Sequence, residues 1–270
     1  MLFRSHFLLK KEPTDNGILI TKIDFLDEQN NDSWLWFTSE EKGRLTNNDV
    51  TKNYELKIAY NPNTKPSIQK LFSYFRTDVD FPYPVLAHGS FELSGNRNHL
   101  IEDENGFNKM LLDKLAKLLV DCSIRLTKEN KCNYDALKLI IPSIRNNSSL
   151  NNAPWNFNKA IEISIIDTPI FPSIKNKYLK LSEGIKFYEV PIQNSIPKKG
   201  YQLFNTLLQP TSDREIIYYL STLKINLKYS NSEFTDKINQ MIDNDLLTEK
   251  QRVDWIYLVC EKTNEIYNGN

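Results

Sequence analysis

One arginine, Arg97, stands in a sequence setting that suits the binding of a phosphate or a carboxylate. It follows the apolar stretch Phe81–Leu93, which predicts a buried strand, and a short polar turn separates the two. A long amphipathic pattern begins soon afterwards and predicts a helix over residues 105–126. When an arginine follows the carboxyl end of a strand and a helix packs behind it, its planar cation and several N–H donors can be directed at a phosphate or a carboxylate. The pattern indicates an anion site at Arg97. An arginine that is merely exposed, or that forms a structural salt bridge, would show the same sequence pattern.

The residues beside Arg97 extend this candidate site. Asn98 and His99 follow it directly, so we expect them to support the turn and to contact the same anion. His88 lies within the predicted strand, where a hydrogen-bonded core histidine is commoner than a catalytic one.

Other chemistry has little support in the sequence. The three cysteines lack the spacing of a zinc motif, so we expect no metal site. There is no P-loop and no nucleophile elbow. Asp32 with Glu40, Glu41 and Lys42 has the residue types of the acidic–lysine core of some metal-dependent nucleases, but we expect these residues to form a solvated turn.

The segment that starts at Phe91 and runs into the predicted helix resembles the second domain of GHKL ATPases. In the ninety-kilodalton heat-shock chaperones of that family, a similar strand and turn carries a Leu-Asn-x-Ser-Arg-Glu type motif before a helix. The closer resemblance is to sacsin-like bacterial ATP-binding proteins, over roughly residues 50–126 and more loosely over residues 154–190. The positions that fit the sacsin-like pattern are Pro84, Val85, His88, Phe91, Leu93, Arg97 and Asn98.

This resemblance implies a role for each part of the candidate site. Arg97 would reach the γ-phosphate of ATP, which a preceding domain would hold together with Mg²⁺, and Asn98 and His99 would support the turn. The chain would couple the state of the nucleotide upstream to movement downstream. Its first partner would be the GHKL nucleotide-binding domain, and proteins of this kind often form homodimers and act on a protein client.

The sequence departs from the family where the nucleotide itself would bind. A GHKL pocket needs a helix with Glu and Asn, an Asp-x-Gly-x-Gly turn and a glycine-rich lid. The chain has only 8 glycines and no Gly-x-Gly. We therefore expect the chain to be the middle segment of a larger ATPase and to be inactive without the nucleotide-binding domain.

The periodicity of the chain predicts an α+β fold. We expect a mixed-sheet domain over residues 1–128 with the long helix on one face, and a mixed, then mostly helical part over residues 129–270. Strands are predicted at Trp34–Thr38 and Tyr54–Tyr60, and Leu71–Phe75 fits either a strand or a short helix. Further helices are predicted at Tyr134–Ile144, Trp155–Ile166, Tyr201–Leu208, Asp213–Leu223, Ser232–Asp243 and Thr248–Tyr267.

Composition limits the classes of partner. Lys plus Arg and Asp plus Glu both number 34, so no overall charge attracts nucleic acid or an anionic membrane. No apolar run approaches the roughly 18 residues that a membrane span needs. The 3 cysteines indicate free thiols in a reducing compartment, and we expect a cytoplasmic protein.

Two other functions stay open from the sequence. The first is a non-enzymatic interaction scaffold in which the second part binds a partner protein and Arg97 is structural. The second is a component of a bacterial defence system that acts on nucleic acid, which the balanced charge disfavours. The presence of a GHKL nucleotide-binding domain upstream would distinguish the ATPase from both of these alternative functions.

Overall fold

The computed structural model describes residues 7–13, 19–25, 33–61, 69–96, 98–102, 106–129, 132–143, 148–187, 196–223 and 231–257. The chain separates into two compact units. The first comprises Met1–Asn130 with Tyr134–Thr168, and the second comprises Lys131–Asn133 with Pro169–Asn270. The boundary expected near residue 128 had assigned residues 134–168 to the second part, but in the structure their two helices pack against the long helix of the first unit.

The first unit contains a seven-stranded sheet with the order β1-β2-β3-β4-β7-β5-β6. Its strands are β1 (Phe7–Pro13), β2 (Leu19–Phe25), β3 (Ser33–Asn47), β4 (Val50–Tyr60), β5 (Lys70–Ser73), β6 (Phe75–Asp80) and β7 (Leu86–Gly89). Strands β5 and β7 are parallel, whereas the other paired neighbours are antiparallel, so the sheet is mixed. With the helices that cover it, this sheet gives the predicted α+β fold.

The β3–β4 hairpin is the longest element of the sheet. Asn48 and Asp49 connect the strands with φ angles of 49° and 62°, the left-handed conformation that a two-residue type I′ turn needs and that Asn and Asp tolerate. Tyr54, Leu56 and Ile58 are buried, while the residues between them face outwards. This alternation confirms the predicted half-buried strand.

The long helix α1 (Phe107–Glu129) covers β3 and β4. It begins later than predicted because Gly106 has a φ of +63°, outside the helical region. Its buried stripe consists of Leu111, Leu112, Leu115, Ala116, Leu118, Leu119, Val120, Cys122 and Leu126. Burying one leucine contributes about 1.5–3 kcal/mol, whereas helix propensities differ by only about 0.7 kcal/mol between ordinary residues. Packing therefore determines where this helix lies.

Two shorter helices complete the first unit. Helix α2 (Asp135–Ile140) ends because Ile141 is extended and Pro142 follows it. Helix α3 (Phe157–Ile165) confirms the helix predicted near Trp155. Both pack against α1.

Two predicted strands have the wrong length. The strand expected at Phe81–Leu93 is only β7 in the structure, because Pro82 and Pro84 cannot donate to a ladder. The rings of Phe81 and Tyr83 instead pack against Phe157, with centroids 5.4–5.5 Å from it. The strand expected at Trp34–Thr38 continues to Asn47 as β3.

The second unit has three helices and a small two-stranded sheet among its described residues. The helices are α4 (Arg214–Thr222), α5 (Asn231–Asp243) and α6 (249–257), and the strands are β8 (Phe171–Pro172) and β9 (Tyr178–Leu179). Their core consists of Ile174, Ile196, Phe204, Leu207, Ile238, Met241, Leu247 and Trp255.

The helix caps in this unit agree only in part with those predicted from the sequence. The Asp213 side chain accepts a hydrogen bond of 3.0 Å from Glu215 N at the start of α4. Thr248 caps α6 as predicted, since its Oγ1 accepts from Gln251 N while Gln251 Oε1 accepts from Thr248 N. Helix α5 begins at Asn231, one residue before the predicted cap Ser232. The helix expected at Tyr201–Leu208 is wrong: a 3-10 helix spans Lys198–Leu203, and Leu207 and Leu208 form isolated β-bridges.

Gly89 provides a test of the packing between β7 and β4. A Cβ at this position would overlap the Phe91 ring and lie 2.8 Å from Leu56 Cδ2. We expect Gly89→Ala to lower the free energy of unfolding by about 1–3 kcal/mol through overpacking. Gly95→Ala is the matched control in the same unit, because nothing lies within 4 Å of its Cβ position. Urea unfolding of both variants measures the difference, and equal midpoints would contradict the prediction.

Candidate functional site

The residues on either side of Arg97 form a closed turn between β7 and α1. Leu93 and Leu100 pair as an antiparallel bridge. Ser94 N donates to His99 O at 3.0 Å, and Ile101 N donates to Glu92 O at 3.0 Å. Arg97 itself lies outside the described residues, while Asn96 and Asn98 lie at the outer end of the turn. We refer to residues 92–101 as the anion turn, after the anion binding that the sequence predicts there.

Polar side chains inside the anion turn satisfy its own backbone. Asn96 Oδ1 accepts from Asn98 N at 3.2 Å and lies 2.7 Å from Ser94 Oγ. Ser94 Oγ in turn accepts from His99 N at 3.3 Å. Such local bonds hold a turn in one conformation before any ligand binds.

The two predicted neighbours of Arg97 have different surroundings. In the amide orientation that suits its neighbours, Asn98 Nδ2 donates to Asp78 Oδ2 at 2.5 Å and to Asn96 O at 2.9 Å. The Asn98 side chain therefore joins the turn to β6. His99 is exposed, and its carbonyl group accepts the bond from Ser94 N. Binding of an anion by Arg97, Asn98 and His99 stays a prediction.

Asn108, in the first turn of α1, joins the anion turn to the helix and was not identified from the sequence. Its side chain is 1% exposed. Asn108 Nδ2 donates to Glu92 O and to Ile101 O, both at 2.8 Å, and Oδ1 accepts from Glu92 N at 2.9 Å. The sequence does carry a signal: residues 108, 111, 112 and 115 fall on one helical face, so Asn108 is a polar residue in an apolar stripe.

Lys52 makes a second connection between the anion turn and the rest of the unit. Its Nζ lies 2.5 Å from Glu92 Oε1 and 4.4 Å from the centre of the Phe107 ring. Lys52 thus links β4, the start of the turn and the first residue of α1.

A second polar cluster lies between α1 and the β3–β4 hairpin. Glu41 Oε1 accepts from Tyr54 Oη at 2.5 Å and from Lys114 Nζ at 2.9 Å. Burial alone would raise the pKa of Glu41, but the hydrogen bonds from Tyr54 and Lys114 and the charge of Lys114 outweigh it and lower that pKa. Glu41 is therefore held as a carboxylate against Lys114.

The acidic–lysine residues considered for a nuclease core do not form a turn. Glu40, Glu41 and Lys42 lie within β3, where successive side chains point to opposite faces of the sheet. Asp32 lies outside the described residues. In the part of the chain that the structure describes, no three His, Cys, Asp or Glu side chains are placed to hold a metal ion.

His88 lies on β7 and supports the tight turn between β5 and β6. Its Nε2 accepts from Tyr74 N at 3.1 Å, and the two rings meet edge to face with centroids 5.9 Å apart. Tyr74 has a φ of 59°, an uncommon conformation for a bulky residue. Burial lowers the pKa of His88, and the charge of Lys57 lowers it further. This arrangement agrees with a structural histidine.

The described cysteines are free thiols. Burial raises the pKa of Cys122 to about 11, so it stays protonated at neutral pH. Cys132 is half-buried, and Cys260 lies outside the described residues. Among the helices that the structure describes, none has the length and apolar character that crossing a membrane requires.

No protein-family model, no curated protein and no solved structure matches the chain. The resemblance to GHKL and sacsin-like ATPases therefore depends on the sequence pattern alone.

The contact between His88 and Tyr74 predicts a pH effect on stability. The folded protein uses Nε2 as an acceptor, so folding disfavours protonation of His88, whereas the unfolded chain takes up a proton freely. Compared with His88→Gln, the wild-type protein should lose free energy of unfolding as the pH falls from about 7.5 to about 5. Urea unfolding at both pH values measures this loss. His99→Gln, at an exposed histidine, is the control, and an equal pH effect in both variants would contradict the prediction.

Proposed function

We propose that the chain acts as the second domain of a GHKL-type, sacsin-like ATPase. In this proposal Arg97 contacts the γ-phosphate of ATP that a separate nucleotide-binding domain holds, and the anion turn reports the state of that nucleotide. The observation that carries the proposal is the anion turn itself. Its backbone is bonded across Glu92–Ile101 and Ser94–His99, so the turn is held closed by the chain's own hydrogen bonds.

A turn that is held in one conformation suits phosphoryl transfer. Negative charge is spread over the γ-phosphoryl oxygens in the transition state, and a cation held in place stabilises that charge without reorganisation. Arginine fits better than lysine because its planar fork can bind two phosphate oxygens together. ATP and Mg²⁺ would be held mainly by the nucleotide-binding domain, as the resemblance implies.

Helix α1 connects the anion turn to other elements of the unit. It starts six residues after Ile101 and packs against α2, α3, β3 and β4. A displacement of the anion turn would therefore move against a helix that contacts both shorter helices and the β3–β4 hairpin. We propose this as the way in which the state of the nucleotide becomes a conformational change.

The surroundings of the protein follow from the same proposal. Its first partner would be the GHKL nucleotide-binding domain. A second copy of the protein and a protein client would be further partners. The free thiols Cys122 and Cys132 fit a cytoplasmic location.

The test uses the longest reading frame that contains this chain, expressed with its nucleotide-binding domain. We expect Arg97→Ala to lower kcat for ATP hydrolysis by about 10²–10³-fold, the loss typical when one donor to a transition state is removed. The urea midpoint should not change. Arg97→Lys should recover only part of the activity, because the paired donors are lost. Steady-state ATPase assays measure these values.

The matched control is Arg44→Ala, which removes an exposed arginine from β3 in the same unit. Wild-type turnover in the Arg97→Ala protein would contradict the assignment of Arg97. A reading frame without a helix carrying Glu and Asn and without an Asp-x-Gly-x-Gly turn would contradict the ATPase as a whole.

A second candidate function, an interaction scaffold, is favoured by a surface of the second unit. Val253, Ile256 and Tyr257 of α6 fall at positions i, i+3 and i+4 and are 46%, 63% and 72% exposed. Neighbouring apolar side chains on one exposed helical face are typical of a protein contact. Val253→Glu would then abolish binding of the partner protein.

A further inference from the structure

We propose that the face of the first unit's sheet that lies opposite α1 binds a nucleoside monophosphate. In this proposal the base stacks on Tyr74, the ribose lies at Glu55 and the phosphate is bound by Arg44. No described residue of the anion turn lines this site. The inference goes beyond the proposed function and does not rest on it, because the proposed ATPase reaction involves none of these three residues.

The site is an open hollow on the charged face of the β3–β4 hairpin. Its volume is about 510 Å³, within the range of roughly 300–1,000 Å³ that is typical of small-molecule sites. Because Tyr54 faces α1, the side chains that alternate with it face away from the helix. We call it the sheet hollow, and the polar side chains that line it are those of Lys42, Arg44, Asn53, Glu55, Tyr74 and Ser90.

The strand order spaces the three binding side chains across the sheet hollow. Arg44 lies on β3, Glu55 lies on β4, and Tyr74 directly follows β5, with β7 between β4 and β5. Neighbouring strands are about 4.8 Å apart, so three spacings separate Arg44 from Tyr74 by about 14 Å at the backbone. A ligand that contacts both residues must therefore carry its ring and its anionic group at opposite ends. A nucleoside monophosphate has the matching order of base, ribose and phosphate.

Tyr74 presents an aromatic ring in a place where folding favours another residue. It is 76% exposed, and its φ of 59° suits glycine or asparagine better than a bulky side chain. His88 holds it there, because His88 Nε2 accepts from Tyr74 N and the two rings meet edge to face. Uncommon backbone conformations that their surroundings maintain cluster at ligand sites. An exposed ring held in this way can stack on a base, since every base has a π face.

Arg44 is the cation that remains for a phosphate. Lys42 Nζ and Lys57 Nζ already lie 3.0 Å and 2.6 Å from Glu55 Oε1. Arg44 is exposed, its cross-strand neighbour is the uncharged Asn53, and it makes no ion pair within the described part of the chain. A free guanidinium can donate two N–H groups to one phosphate.

Glu55 supplies an acceptor for the ribose hydroxyls between these two ends. Hydrogen bonds from Lys57 and Lys42 lower the pKa of Glu55 to about 2, so its carboxylate is ionised throughout the physiological pH range. The same two lysines offset its charge, which reduces its repulsion of a nearby phosphate. An acidic side chain binds the ribose hydroxyl in the same way in dinucleotide-binding folds.

A single nucleotide fits this face better than a strand of nucleic acid does. A site for a strand needs successive aromatic rings and a series of unpaired cations. Among the described residues that line the sheet hollow, only Tyr74 offers an exposed ring. Acidic residues also balance the lysines, since Glu40 Oε2 lies 3.9 Å from Lys42 Nζ and 4.0 Å from Lys57 Nζ.

The first experiment is an NMR titration of the chain with adenosine monophosphate and with the other three ribonucleoside monophosphates. We expect saturable shifts of the backbone amides of Gly43, Asn53 and Ser90. Adenosine lacks the phosphate and inorganic phosphate lacks the base, so each should bind about 10-fold more weakly or less well still. Deoxyadenosine monophosphate should bind less tightly than adenosine monophosphate, because it offers Glu55 one hydroxyl fewer. Added salt should weaken the binding of adenosine monophosphate more than that of adenosine.

The second experiment removes each end of the site. Arg44→Gln should weaken the binding of adenosine monophosphate about 10-fold and remove the preference for it over adenosine. Tyr74→Asn should weaken the binding of both about 10-fold, and its urea midpoint should not fall, because asparagine tolerates the positive φ. The matched controls are Arg76→Gln and Phe75→Asn, which change an exposed arginine and an exposed ring of β6 that do not line the sheet hollow. Both should bind as the wild-type chain does.

The outcomes that overturn the inference are specific. Inorganic phosphate that binds as well as adenosine monophosphate would indicate an adventitious ion only. Losses in the control variants that equal those in Arg44→Gln and Tyr74→Asn would place the ligand elsewhere. An affinity that rises with the length of a single-stranded oligonucleotide would show a strand-binding surface instead. The absence of saturable shifts with every nucleotide would also overturn it. The proposed function stands or falls separately, because these measurements involve no ATP hydrolysis.

Discussion

The first unit depends on the burial of one helical stripe against one face of a hairpin. The leucines of α1 cover Tyr54, Leu56 and Ile58 of β4, and each contributes far more than any preference of the backbone. The opposite face of the hairpin carries charges instead. There Glu55 lies 2.6 Å from Lys57 and 3.0 Å from Lys42, and hydrogen bonds from these lysines lower its pKa to about 2. The apolar contact thus fixes which side of the sheet receives the helix.

The polar residues inside that contact give the helix its register. Nonpolar packing alone tolerates small rotations, whereas hydrogen bonds at 2.8–2.9 Å do not. Lys114 meets Glu41 of β3, and Arg125 Nη1 donates to Ser39 Oγ of the same strand at 2.8 Å. Together with Asn108 they fix α1 near its start, middle and end. Leaving the buried Asn108 without its partners would cost about 1–3 kcal/mol, so other registers are disfavoured.

Local patterns of the sequence predicted the parts of the fold that depend on local physics. The 3.6-residue period identified α1, and the alternation of residues identified β4, because both patterns record which side chains are buried. The length of β3 was not predicted, because its charged residues Lys42 and Glu40 pair with Glu55 and Lys57 of β4, which lie next to them only in the folded sheet. The tight turn at Tyr74 depends on His88, fourteen positions later, and no local rule expects a tyrosine with positive φ there. For the candidate site, the sequence pointed to the turn but not to Asn108, whose partners become neighbours only after the chain folds back.

The sequence separation of the contacts made by α1 has a consequence for synthesis on the ribosome. Arg125 and Ser39 are 86 positions apart, and the hairpin is made long before the helix that covers it. At about 5–20 residues per second, the apolar face of β3 and β4 waits on the order of ten seconds for α1 to emerge. During that interval an unprotected sheet surface is available to other chains. Nascent protein of this kind should depend on chaperones that bind near the exit tunnel.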